Sequence, residues 1–114
     1  MLAKAGVMLT AELTDEAGRA AYLAAFHAAQ AFIFERTGRT TRTHQGVRSQ
    51  FGQATRDDAR IDVTLRRFLT DGYDMKSLAD YAIGPDAVVP RAEAVQAIET
   101  ATRFVACIAV VLGG

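Results

Sequence analysis

The chain has 114 residues and a mass of 12.3 kDa, and half of its residues are apolar. This length fits one domain, residues 1–114, with a single core. The 13 Lys plus Arg and 13 Asp plus Glu residues give a net charge of zero, which excludes a uniformly basic nucleic-acid coat and an acidic disordered tail. The one cysteine, Cys107, excludes an internal disulfide framework and a cysteine-rich zinc site and favours a reducing cytosol.

The first predicted element is a short helix over residues 1–9. A signal peptide is the alternative, but the stretch has one cation and no clear cleavage site. The longest strongly apolar run, Phe104–Leu112, has nine residues, whereas a helix that spans a bilayer needs about 20. We therefore expect no membrane segment and a cytoplasmic protein.

A long second helix is predicted from Thr14, a suitable N-cap, to Thr37, with Gly38 as its stop. Between residues 20 and 34, 13 of 15 residues are apolar, the exceptions being His27 and Gln30. A helix that is apolar nearly all round must be covered on several sides. It is predicted to be either the central helix of a bundle or a helix at a subunit interface.

Three further helices are predicted towards the C-terminus. One begins after the N-cap Thr43 and fades at residues 56–58, and the next spans residues 58–82 with a possible break at 70–74. Pro85 and Pro90 bracket a linker, and the last helix starts at Pro90, a favourable first-turn residue, and ends at Gly113-Gly114. The sum is an all-α antiparallel bundle of four to five helices.

The zero net charge conceals a basic middle segment. Residues 36–67 contain eight arginines and three aspartates, a net charge of +5, against five cations and ten acids elsewhere. Arginine matches phosphate with a planar fork of donors, so the segment suits a nucleic-acid partner. The alternative is a solvated surface with i, i+4 ion pairs such as Asp62 with Arg66.

Arg39 and His44 are the most informative pair within this segment. His44 is expected in the first turn of a helix, where the helix dipole lowers the pKa of an imidazole and keeps it neutral and able to accept a proton. In a continuous helix the two residues would point about 140° apart, so they converge only if residues 38–43 form a loop. A base and a phosphate-binding cation are the minimal parts for cleaving RNA through its own 2′-hydroxyl, without a metal. The alternative for His44 is an ordinary helix-start histidine, and His27 is expected to be a buried or interfacial hydrogen-bonding residue.

Several segments spread along the chain form a recognisable pattern: Arg19–Ala29, Gly38, Thr43–Val47, Phe51–Gly52, Ala79–Tyr81 and Ala101–Val105. Together they resemble the HEPN family, in its small stand-alone prokaryotic branch. The family hallmark R-x(4–6)-H is matched by Arg39-x4-His44. Tyr occupies position 46 in the subfamily that its antitoxin modifies, whereas this chain has Gly46, so modification there is not expected.

The resemblance implies a homodimeric helical bundle in which the Arg and His of both chains meet in a composite cleft. Active members are metal-independent endoribonucleases without a cofactor, and many are toxins silenced by a minimal nucleotidyltransferase antitoxin. By this resemblance His44 is the general acid/base and Arg39 stabilises the phosphorane. Arg36, Arg42 and Arg48 are candidates for binding the RNA phosphates. Supporting roles are assigned to Tyr22, His27 and Tyr81.

Two other functions remain open at this point. The first is a non-catalytic HEPN module that partners a nucleotidyltransferase and binds its nucleotide or substrate. The second is a purely structural dimerisation bundle built on the apolar helix of residues 20–34. In all three cases we expect a dimer of about 25 kDa, twice the chain mass of 12.3 kDa.

Overall fold

The computed structural model describes residues 2–81 and 87–113. Its five helices are α1 (Leu2–Thr10), α2 (Thr14–Thr37), α3 (His44–Thr55), α4 (Val63–Asp80) and α5 (Arg91–Gly113). Within these ranges every regular element is a helix, so the prediction of an all-α bundle is confirmed. Pro85 and Asp86 of the predicted linker and the terminal Gly114 lie outside the described residues.

Helix α2 is the centre of the bundle, because the other four helices all pack against it. Ala17, Ala21, Ala25 and Ala29 recur every fourth residue on α2 and are fully buried. Ala94, Ala97 and Ala101 are also buried on α5, which makes the largest contact with α2. Small side chains at such a contact let two helices approach closely. The apolar α2 is thus covered on several sides, as predicted, and the cover comes from its own chain.

The ends of α2 and α3 show which predicted caps form. Gly38 has a φ of 71° and its N–H donates to the carbonyl of Phe34 at 2.8 Å, as expected of a glycine that ends a helix. Thr43 caps α3, since its Oγ1 accepts from the N–H of Gly46 at 2.9 Å. The N-cap predicted for α2 is wrong by one residue: Leu13 occupies that position without a side-chain cap, and Thr14 is already helical.

Helix α4 starts later than predicted and is not broken. Asp62 is its N-cap and accepts from the N–H of Leu65 at 3.0 Å, while the residues before it form a turn in which Asp58 binds the guanidinium of Arg60. The expected break at residues 70–74 is absent because Gly72 is a buried helical residue. A Cβ at Gly72 would lie 2.8 Å from Cδ1 of Tyr22. Gly72 therefore serves close packing of α4 on α2.

Helix α5 begins at Arg91, one residue after Pro90, whose carbonyl accepts from the N–H of Ala94 at 3.0 Å. With 23 residues, α5 is long and apolar enough to cross a membrane by length and composition. The longest uninterrupted apolar run in the sequence, nine residues, did not indicate this. The face that carries Ala101, Phe104 and Ile108 is buried in the bundle core. One apolar helix with a buried face is also what a core helix of a soluble protein looks like, so it is weak evidence for a membrane span.

Candidate active site around His44

His44, the first residue of α3, lies in a box of aromatic rings from α2 and α4. Its Nδ1 is 2.8 Å from the hydroxyl of Tyr22, which is fully buried. The imidazole centroid is 4.6 Å from the ring of Phe26 and 4.7 Å from the ring of Tyr73. The N-cap Thr43 starts α3 at this point, so the cap and the box together place the imidazole at the junction of three helices.

Burial sets the protonation of both hydrogen-bonded groups. It raises the pKa of Tyr22 to about 12, so the phenol keeps its proton at neutral pH. The pKa of His44 is lowered, first by burial and then by the charges of Lys76 and Arg48, with Asp80 acting in the opposite direction. The direction is the one predicted, but the leading cause is loss of solvation rather than the helix dipole. His44 is therefore a neutral imidazole near pH 7.

Two cations, Arg48 and Lys76, lower the pKa of this imidazole. The guanidinium of Arg48 lies over the ring of Tyr73, 5.4 Å from its centroid. Lys76 forms an ion pair with Asp80, and the same carboxylate accepts from Arg19 at 2.7 Å. The charges that act on His44 are thus two cations and one carboxylate, a balance that favours an anionic ligand such as a phosphodiester.

Arg39 lies elsewhere on the same chain. It is exposed and lines a groove of about 450 Å³ with Thr37, Gln50, Gln53 and Ala54. Gln50 and Gln53 are roughly 240° and 180° around α3 from His44, so this groove is on another side of the helix. In the described part of the chain no hydrogen bond joins Arg39 to His44. The loop of residues 38–43 thus forms as expected, but it does not bring the pair together within one chain.

Of the two alternatives predicted for His27, the buried one is wrong, because the helix turns it away from the core and leaves it exposed on α2, while the interfacial one stays a prediction. Its Nδ1 is 2.8 Å from Oε1 of Gln30, and Nε2 of Gln30 donates to the carbonyl of Thr41 at 2.8 Å. His27 is therefore linked through Gln30 to the loop that separates Arg39 from His44.

The remaining candidates fall into two groups. Arg48 and Tyr22 belong to the surroundings of His44, whereas Arg36 lies over the ring of Phe32 at 4.9 Å and Arg42 is exposed on the loop. Tyr81 follows the end of α4 and is 83% exposed, so it does not form part of the aromatic box.

Sequence reasoning missed two residues of this site, Tyr73 and Lys76. Their spacing of three on one helix, with Asp80 four residues after Lys76, is the signal that could have identified one face of α4. The predicted break at residues 70–74 hid it, because a break would have separated Tyr73 from the helix that carries Lys76.

A family model described as HEPN domain matches residues 1–111. No curated protein matches the chain. Among residues 2–81 and 87–113, no group of three or more His, Cys, Asp or Glu side chains is arranged to hold a metal ion.

Proposed function

The chain belongs to the HEPN domain family, whose model covers residues 1–111, and from this premise we propose that it is the endoribonuclease toxin of a toxin–antitoxin pair. It cleaves RNA phosphodiesters through the RNA's own 2′-hydroxyl, which needs neither a metal nor a cofactor. It acts in the cytoplasm as a homodimer, and a minimal nucleotidyltransferase antitoxin neutralises it. Family membership supports the RNA-related part of this proposal, and the surroundings of His44 support the choice of residues.

The observation that carries the proposal is the imidazole of His44, whose pKa is lowered by burial and by the charges of Lys76 and Arg48. The hydrogen bond to Tyr22 holds the ring, and the positive charges of Arg48 and Lys76 that act on it support an assignment of this site to an RNA phosphate. Arg36 and Arg42 are exposed and are proposed as further contacts to the RNA phosphates.

In this proposal, the Arg39 that acts on the RNA next to His44 belongs to the other chain of the dimer. Its groove lies on another side of α3 from His44, so an Arg39 that stabilises the phosphorane next to His44 has to come from the partner. A chain of 114 residues has little room for a closed cleft, and a site completed across a two-fold axis provides one.

The test is RNA cleavage by the purified protein with EDTA present. We expect wild type to cleave RNA. His44→Ala and Arg39→Ala should each cleave at least about 100-fold more slowly, because each removes an acid–base or charge-stabilising group. Arg56→Ala removes the same charge from an exposed position of the basic segment and should retain most of the activity. Wild-type protein that leaves RNA intact would contradict the proposal.

The separation of Arg39 from His44 within one chain favours a second candidate, a non-catalytic module that binds nucleotide or substrate for a nucleotidyltransferase. Induction of the protein in cells discriminates the two. The toxin halts growth, and His44→Ala relieves the arrest while the purified variant keeps its helical circular dichroism. The binding module leaves growth unchanged in both forms and binds RNA or nucleotide without cleaving it.

A further inference from the structure

The groove beside Arg39 is lined mainly by polar side chains. Its volume is about 450 Å³, and its lining residues are Thr37, Arg39, Gln50, Gln53 and Ala54. This volume falls in the range of sites that hold a small molecule, about 300–1,000 Å³. Ala54 contributes only a methyl group to the lining, so the groove has room for a planar ring such as a nucleobase.

Thr37 holds the backbone of Arg39 against the end of α2. The Thr37 hydroxyl donates to the carbonyl of Ile33 at 2.8 Å and accepts from the backbone N–H of Arg39 at 3.1 Å. The Arg39 side chain is exposed, and no carboxylate among residues 2–81 and 87–113 forms an ion pair with it. Its guanidinium is therefore available to a phosphate at the edge of the groove.

Two glutamine amides line the same groove. Gln50 and Gln53 are three residues apart on α3 and so lie on one side of the helix, with Gln50 half-buried and Gln53 exposed. Unlike the amide of Gln30, which has partners at both ends, neither is engaged in a hydrogen bond within the described part of the chain. Each amide thus offers a donor and an acceptor, side by side, to a ligand in the groove.

A donor next to an acceptor is the pattern that adenine presents on two of its edges. Its N6–H lies beside N7 on the Hoogsteen edge and beside N1 on the Watson–Crick edge, and a bidentate contact from glutamine to N6 and N7 is a common way to recognise it. Guanine presents two acceptors, N7 and O6, on its Hoogsteen edge, and cytosine and uracil have no second edge with such a pair. Two amides that line one groove therefore complement adenine better than the other three bases.

We propose that this groove binds an adenine base of the RNA, that Gln50 and Gln53 recognise the base, and that Arg39 binds the adjoining phosphate. This inference rests on the ribonuclease function proposed above, in which the groove of one chain meets His44 of the other. The groove then decides where the strand is cut, and the protein cleaves next to adenosines.

The first test measures binding and does not depend on cleavage. The probes are uncleavable 2′-O-methyl oligonucleotides of one length that carry adenosine, uridine or an abasic unit at the central position of a uridine strand. We expect wild type to bind the adenosine probe at least about five-fold more tightly than the other two, the lower end of what a bidentate contact to a base edge discriminates. The double variant of Gln50→Ala and Gln53→Ala should bind all three alike, with its affinity for the abasic probe unchanged.

Gln96→Ala is the matched control, because it removes the amide of an exposed glutamine on α5. It should keep the wild-type ratio between the probes. Ala54→Leu fills the groove without removing a polar group and should lower that ratio. A wild type that binds the three probes alike, or a double variant that keeps the wild-type ratio, overturns the inference.

The second test maps the RNA ends that the protein generates in a pool of random sequence. We expect wild type to cut next to adenosines, and the double variant of Gln50→Ala and Gln53→Ala to cut without this preference. A wild type that cleaves with no preference for adenosine overturns the inference but leaves the proposed function standing. A wild type that leaves RNA intact overturns the proposed function, and the binding ratio of the first test then decides whether the groove recognises adenine.

Discussion

The hydroxyl of Tyr22 lies 2.8 Å from Nδ1 of His44, so a residue in the core of α2 fixes the ring that begins α3. The phenol is fully buried and its pKa is raised to about 12, which makes it a permanent donor at physiological pH. The bond stabilises neutral His44. A protonated ring carries a hydrogen on Nδ1, so the Tyr22 hydroxyl would have to accept from it, and the hydroxyl's own buried proton would lose the acceptor that it has among the described residues.

Replacing Tyr22 by Phe should raise the pKa of His44. The lost hydrogen bond is worth roughly 0.5–1.5 kcal/mol to the neutral ring, which corresponds to a rise of up to about one pKa unit. The measurement is an NMR titration of the His44 ring protons in both proteins. Tyr73→Phe, in the same aromatic box but without a hydrogen bond to His44, is the control and should shift the value less.

The folded protein should lose stability as the pH falls below about 6.5, the ordinary pKa of histidine. The pKa of His44 is lowered by folding, so the unfolded chain binds a proton in a pH range where the folded chain does not. Protons then favour the unfolded state, and the free energy of unfolding decreases with decreasing pH until the folded pKa is passed. Urea unfolding between pH 7.5 and 5.5 measures this. His44→Gln should flatten the dependence, and an unchanged slope would contradict the assignment to His44.

Gly72→Ala should destabilise the bundle by about 1–3 kcal/mol, the usual cost of overpacking. The new Cβ would lie 2.8 Å from Cδ1 of Tyr22 and 3.2 Å from Cζ of Phe68, which forces either an aromatic ring or α4 to move. Gly52→Ala is the matched control, since nothing lies within 4 Å of its Cβ position in α3, and it should stabilise by roughly 0.5–1 kcal/mol. Urea midpoints that shift in the same direction for both variants would argue against this packing.

Asp15→Ala should cost about 1–3 kcal/mol of stability. The Asp15 carboxylate is 9% exposed and accepts from the backbone N–H groups of Val88 at 3.0 Å and Val89 at 2.8 Å, which lead into α5. Its removal leaves the donor of the buried Val89 without a partner. Glu16→Ala removes the neighbouring exposed carboxylate of the same helix turn and should cost only about 0.3–1 kcal/mol. Thermal or urea unfolding of the two variants compares them directly.

A composite site predicts that two inactive variants restore each other. If His44 of one chain works with Arg39 of the partner, a heterodimer of His44→Ala and Arg39→Ala chains has one intact site and one doubly defective site. We expect cleavage to return after the two variants are unfolded together and refolded as a mixture. A mixture as inactive as its components would place both residues in a site within one chain. Sedimentation at about 12 kDa, the mass of one chain, would contradict the dimer itself.

The helices were predictable from the sequence because local chemistry specifies them. The long apolar stretch of α2, the glycine after Thr37 and the cap Thr43 each act within a few residues, and all three are found where the pattern puts them. The predictions that failed required knowledge of distant contacts. The segment 70–74 predicts a possible break, since a glycine such as Gly72 that faces the ring of Tyr22 cannot be distinguished locally from one that ends a helix.

The candidate site, like the fold, was predictable from the sequence only in part. The sequence by itself determined that His44 begins a helix inside a segment of net charge +5, and the HEPN pattern that contains it is readable from the residues alone. Only the tertiary structure decided that Tyr22, Tyr73, Arg48 and Lys76 surround His44, that Arg39 lies on another side of α3, and that His27 faces solvent. The physical reason is that caps and periodicity depend on neighbours along the chain, whereas the pKa of the His44 imidazole also depends on groups that folding brings from two other helices, α2 and α4.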